Sequence, residues 1–534
     1  MNFLLFGVIS LCMCVYSIIY IPVFHDHSYF HITHNFLQWC FDNAIIPSYD
    51  IRVARDMVLN PQSWATSPLA IVSYFISSKE AYFLTSALFY FLGGIGMYFT
   101  CRRFGIRPGN ANIAALAWIL TPYLWSNTLY YQSAFTMFPL LSWCLYASRM
   151  TNSYDVIIIS SFLSISCMFG QPYCLFMGTG GFLTGFFLLW NSNGLTSKRS
   201  FNIPYLIYAL CFIAFSLCLS RLILSSIVCG KPLPISESVF NFRDILTLFF
   251  SVPGMTNTSN FYNFPPHELM LYIGISALMV FLSGCFYKKN KKVFVASILW
   301  FISVAGFLYP FDLFGILTLN GLLGHHVGLR SMPLAQCFFI IAIAYSLDIF
   351  TKFKTIFSSI FILERLFIII LFAFFVRYHE SDKYLMNCSN DYYITEKPYE
   401  PMHRGRYAED WSIISSKIIP YSVSWKKPVT SVFWSDKSIT SSEISLEGSF
   451  FIKTEPMAVI SSVFLDSTSW KMVTGSVIEN GPAQSVFIAD KNGFVNGHRS
   501  SKLWFTYVTL HGLAMILLGI SWFISRRISI SRCN

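Results

Sequence analysis

Uninterrupted apolar stretches, most of them long enough to cross about 30 Å of hydrocarbon, recur along this sequence. No other feature constrains the fold as strongly. A segment in hydrocarbon must satisfy its backbone N–H and C=O groups without water, so it must be a helix or part of a closed barrel. About twelve such segments fall at 3–23, 81–101, 110–126, 130–148, 155–170, 173–190, 203–228, 268–287, 293–309, 333–350, 357–377 and 503–525. Composition agrees, with 54% of the 534 residues hydrophobic and 12% charged, against about a quarter charged in soluble domains. A soluble enzyme and a disordered chain are both excluded. The expected fold class is mainly α, a polytopic membrane protein.

Orientation follows from Lys and Arg, which are retained on the cytoplasmic side of short loops. With the N-terminus inside, fifteen basic residues fall on the inner side, among them Arg102, Arg103, Lys288, Lys289, Arg526 and Arg527. Six fall outside before residue 378: Arg52, Arg55, Lys79, Lys231, Arg243 and Arg330. Both termini are therefore expected in the cytoplasm. The same loops account for the net charge of +11, and no nucleic-acid partner is expected. The opening stretch has neither a basic start nor a small-residue cleavage site before Phe24, so it reads as a retained first helix. The fourteen cysteines lack metal-ligand spacing and fall mostly in apolar runs, which makes them small core residues.

Residues 378–501 are of another kind, holding 26 of the 63 charged residues. Tracts such as Ser431-Val432-Phe433-Trp434 alternate polar and apolar residues between Gly, Asp and Asn turn signals, which predicts an antiparallel β-rich domain. The expected division is 1–377 as a transmembrane domain with a first outer loop at 24–80, 378–501 as the extracytoplasmic domain, and 502–534 as a closing helix with a basic tail.

Nine of the twelve acidic residues before 378 fall on the outer side of this topology. A carboxylate beside a bilayer is costly unless solvated, paired or working. In the first loop, Asp26 stands between His25 and His27 directly after the first span, placed either as a general base towards a sugar hydroxyl or as a solvated interfacial acid. His27, His31 and His34 are spaced to share one helical face. They could hold a divalent metal or face water from an amphipathic helix; without HExxH or Cys support no metal or other cofactor is expected. Asp56 lies further along the loop. The tract Gly324-His325-His326-Val327-Gly328-Leu329-Arg330 precedes a span on the same side. Arg330 suits a phosphate held bidentately, with His325 or His326 adding donors, or it snorkels to lipid head groups. Arg243 and the His267-Glu268 pair complete the outer candidates, an ion pair with Asp244 and a helix-start acid being their bland readings. No Walker A, GxGxxG or GxSxG motif is present, so neither a nucleotide motor nor a serine hydrolase is indicated. Gly93-Gly94-Ile95-Gly96 lies inside a span and reads as a close helix contact.

The order of a first span, an Asp-bearing loop with Ile46-Pro47 and Asn60-Pro61-Gln62, and Pro68-Leu69 before the second span resembles the GT-C superfamily of membrane glycosyltransferases. Leu465-Asp466-Ser467-Thr468-Ser469-Trp470-Lys471, Gly475, Asn492-Gly493 and the closing span resemble the C-terminal region of bacterial YfhO-like proteins, as do the tracts Leu271-Tyr272-Ile273-Gly274 and Leu329-Arg330-Ser331-Met332-Pro333. The resemblance implies a polyprenyl-phosphate-linked sugar donor. It also implies a glycan, lipid or protein acceptor outside a bacterial inner membrane. Asp26 would be the base of an inverting transfer; Arg330, His325, His326 and Arg243 would hold the donor phosphate; His27, His31, Asp56, His267 and Glu268 would support the acceptor. The competing classes are a transporter or flippase, for which Arg221 and Glu364-Arg365 are the ionisable candidates within spans, and a non-catalytic envelope assembly partner.

Overall fold

The computed structural model describes residues 3–20, 78–129, 136–189, 204–228, 249, 270–285, 291–308, 331–350 and 354–376. In the first loop it describes 34, 37–38, 40–42, 44, 46, 49–50, 55–56, 58, 64–67, 70 and 75–76. Towards the C-terminus it describes 419–420, 433–435, 437, 439–445, 449–462, 470–480, 485–499 and 502–531.

The protein is mainly helical. In chain order the helices are α1 (Phe3–Tyr20), α2 (Ser78–Arg103), α3 (Pro108–Ile119), α4 (Pro122–Leu129), α5 (Leu141–Ala147), α6 (Ser153–Met168), α7 (Pro172–Thr184), α8 (Tyr205–Val228), α9 (Ile275–Cys285), α10 (Lys291–Leu308), α11 (Met332–Ser346), α12 (Lys354–Phe375) and α13 (Lys502–Ser531). Each of the twelve apolar segments contains helix, and among the described residues five helices are long and apolar enough to cross a membrane: α1, α2, α8, α12 and α13. Their exposed residues are large and apolar, as at Leu4, Val8, Leu11, Val15 and Ile19 of α1. Such a surface suits lipid rather than water.

Small residues let these helices approach closely. A Cβ at Gly93 would clash with the Pro139 carbonyl oxygen, and one at Gly96 would lie 2.5 Å from Ser142 Oγ. The close contact expected of this glycine cluster is present, between α2 and the turn and helix at 138–147. Hydrogen bonds seal it: Ser142 Oγ donates to Gly93 O (2.9 Å), and Trp143 Nε1 donates to Leu92 O (3.0 Å).

The basic helix ends are tied by acids. Arg103 forks onto Asp155 at 2.5 and 2.6 Å, and Asp155 completes a capping box with Asn152 at the start of α6. Asp348 accepts from Asn110 Nδ2 (3.0 Å). Two further cations, Arg107 and Lys354, lie within 4.0 Å of Asp348.

The C-terminal segment forms two antiparallel sheets. One has the order β3-β4-β7-β10-β9 and the other β5-β6-β11-β8, built from β3 (Ile419–Pro420), β4 (Phe433–Ser435), β5 (Ile439–Ser445), β6 (Ser449–Thr454), β7 (Val459–Ser462), β8 (Trp470–Thr474), β9 (Ser476–Asn480), β10 (Ser485–Ile488) and β11 (Phe494–Arg499). Alternation along β6 buries Phe450, Ile452 and Thr454. The Phe450 ring meets Phe487 of the other sheet, centroids 5.6 Å apart, so these inner faces form a common core. At the β10–β11 turn Asp490 Oδ1 accepts from the Asn492 and Phe494 amides. Gly493 turns there at φ +78°, a value L side chains rarely adopt.

Candidate functional site

The described residues of the first loop include secondary structure and a small core. The hairpin β1 (Tyr49–Asp50) and β2 (Arg55–Asp56) pairs Tyr49 with Asp56 and Asp50 with Arg55. Leu37, Cys40, Trp64, Ala65 and Ala70 form a small core of their own. His34 is buried on a helical stretch. Its ring, 6.2 Å from that of Trp64, donates through Nε2 to Ile76 O (2.6 Å). Burial lowers its pKa, opposed by that backbone bond. Thus His34 does not face water from an amphipathic surface.

The turn at 64–67 is buried, so its backbone groups need partners within the protein. Helix α13 supplies two of them. Trp504 Nε1 donates to Ala65 O (3.3 Å), and His511 Nδ1 donates to Thr66 O (2.9 Å). A carbonyl can only accept, so His511 carries its proton on Nδ1. Arg221 of α8, fully buried, donates to Thr66 Oγ1 (3.2 Å) and to Cys167 O at the end of α6 (2.9 Å).

A second polar cluster surrounds Glu364 and Arg365 on α12. Glu364 accepts from Tyr272 Oη (2.5 Å), the Ile275 amide (2.9 Å) and Ser276 Oγ. Its carboxylate thereby closes the start of α9, where orphan amides and the helix dipole both favour an anion. Gly274, at φ +92°, makes the bend into that helix. Arg365 is 1% exposed and donates to Ala117 O (3.1 Å), Thr121 Oγ1 (3.3 Å) and Gln336 Oε1 (2.9 Å), with its guanidinium 4.8 Å from the Phe361 ring centroid. Ala117 and Thr121 flank the break between α3 and α4, where Pro122 removes a backbone donor. The pair therefore ties the break between α3 and α4 to the start of α9.

Of the residues singled out from the sequence, Asp26, His27, His31, Arg243, His267, Glu268, His325, His326 and Arg330 lie outside the described residues. Asp56 is placed by its backbone in β2. Among the described residues no three His, Cys, Asp or Glu side chains are grouped to hold a metal ion. Sequence reasoning named Arg221 and Glu364-Arg365 as ionisable residues within spans. It missed His511, Trp504 and Thr66, although a histidine inside the closing apolar run was a visible signal.

No protein-family model, curated protein or solved structure matches the chain. The reading of function accordingly rests on its own residues.

Proposed function

We propose that the protein is a membrane glycosyltransferase that moves a monosaccharide from a polyprenyl-phosphate-linked donor to a glycan, lipid or protein acceptor outside the bacterial inner membrane. In this reading the chain crosses the membrane twelve times. Both termini are cytoplasmic and the strand-rich domain of 378–501 is extracytoplasmic. Asp26 takes the proton from an acceptor hydroxyl, which attacks the anomeric carbon and displaces the lipid phosphate. Arg330, with His325, His326 and Arg243, neutralises the charge developing on that phosphate. The donor already lies in the membrane, so no nucleotide is required.

The observation that carries the reading is the built first loop. A connector with no task would run over the surface as exposed chain. This one has a hairpin, its own core and hydrogen bonds from two helices, α8 and α13, and it is the loop that bears Asp26. Comparing envelope polymers from wild-type and deletion strains tests it. Loss of one sugar substituent is expected; an unchanged glycan profile would reject the reading.

A second reading, a transporter or flippase of lipid-linked sugars, is favoured by one observation. The ionisable Glu364-Arg365 pair sits at a helix break, between α3 and α4, and at the start of α9; many transport sites lie at such broken helices. It requires Glu364→Gln to abolish lipid-linked sugar movement in vesicles while leaving the protein folded.

A further inference from the structure

We infer that Arg221, Trp504 and His511 form a clamp that sets the position of the first loop. In the buried turn Trp64–Ser67, Trp64 O accepts from the Ser67 amide (2.9 Å) and Ser67 O from the Ala70 amide (2.9 Å). The two carbonyls left, Ala65 and Thr66, are served by Trp504 and His511 of α13. The loop thus satisfies half of the turn by itself and takes the other half from the closing helix. A buried carbonyl without a donor is expensive, so the bonds from those side chains help to hold the turn in place.

Arg221 adds the third direction. One arm of its guanidinium holds the Thr66 hydroxyl and the other the final turn of α6, and the planar fork fixes both at once. The first loop, the middle of the chain and its closing helix meet at a single threonine. Thr66, Arg221 and His511 are all 0% exposed, so water does not compete for these bonds. An arginine and a histidine inside apolar helices are costly residues. Arg221 binds the loop and a helix end and His511 binds the loop, as positioning residues require.

Hydrogen exchange on the purified full-length protein tests the clamp. In Arg221→Ala and His511→Ala, amides of the 64–70 stretch should exchange about tenfold faster or more, because the turn opens locally. Amides of α11 should stay as protected as in the wild type. His511→Asn keeps an N–H donor close to the place of Nδ1 and should remain close to wild type. The clamp is refuted if the alanine variants, with α11 still protected, leave exchange at 64–70 unchanged, or if His511→Asn exchanges as fast as His511→Ala. Should Arg221→Ala fail to fold, the two His511 variants decide.

The effect on catalysis rests on the glycosyltransferase reading. There His511→Ala should lower turnover and His511→Asn should restore most of it. Exchange decides the clamp, whereas absence of transfer by the wild type would overturn only the glycosyltransferase reading.

Discussion

At Glu364 one carboxylate meets three donors at a helix start, and this local arithmetic predicts how its replacement behaves. Glu364→Gln keeps the size but weakens acceptance from Tyr272, Ile275 N and Ser276. The expected loss is about 1–3 kcal/mol, read as a lower unfolding midpoint in detergent. An unchanged midpoint would remove the carboxylate from the support of α9. His34 gives a pH-dependent counterpart. Its folded pKa lies below that of a free histidine, so the native loop binds fewer protons than the unfolded one. Stability from this residue is then present above about pH 6.5, the free value, and declines as pH falls through it. Acidification should lower the protection factors of amides at the Ile76 end of the loop, each referred to the intrinsic exchange rate at that pH. His34→Gln should flatten that dependence if the imidazole is its source.

The elements differ in how legible they were. Hydrocarbon length and apolar content mark candidate runs because burial in lipid acts on a whole run; helix is found in every such run, and five of the described helices are long and apolar enough to cross a membrane. The alternation in Ser431-Val432-Phe433-Trp434 likewise announced a strand, and β4 (Phe433–Ser435) forms there. The break at Thr121–Pro122 and the bend at Gly274 lay hidden, because apolar residues continue on both sides. What marks them is the polar pair that repairs them, carried on α12 far along the chain. The clamp was illegible for the same reason: Thr66, Arg221 and His511 are joined by folding, not by spacing. At this scale the helix contacts are testable by a pair of substitutions. Gly93→Ala drives a methyl group into the Pro139 carbonyl and should cost about 1–3 kcal/mol. Gly519→Ala in α13 meets nothing within 4 Å and should be neutral or stabilising by up to about 1 kcal/mol. Equal effects in thermal unfolding would deny that α2 packs through its glycines.

Over the whole molecule, helices with apolar outer faces carry a strand-rich domain that leads, through residues 500 and 501, into the closing helix. The fifteen-to-six division of basic residues predicts that a reporter active only outside the membrane will be active when fused within 378–501 and inactive after Lys289 or Arg527. A reporter within 378–501 behaving as cytoplasmic would overturn the placement of the reaction. In that placement the first loop carries the base and the 324–333 tract carries the phosphate site. Arg330→Ala should weaken both donor binding and turnover. Lys at 330 should rescue only partly, being a point charge without the bidentate fork.

Transfer by purified wild-type and Asp26→Asn proteins, using a polyprenyl-phosphate monosaccharide and measuring donor binding in parallel, addresses the proposed chemistry most directly. Asparagine keeps the size and removes the base, so turnover should fall by about two to four orders of magnitude. Donor binding should stay close to wild type, because the carboxylate acts on the acceptor. An Asp26→Asn protein that transfers sugar at the wild-type rate would contradict the account.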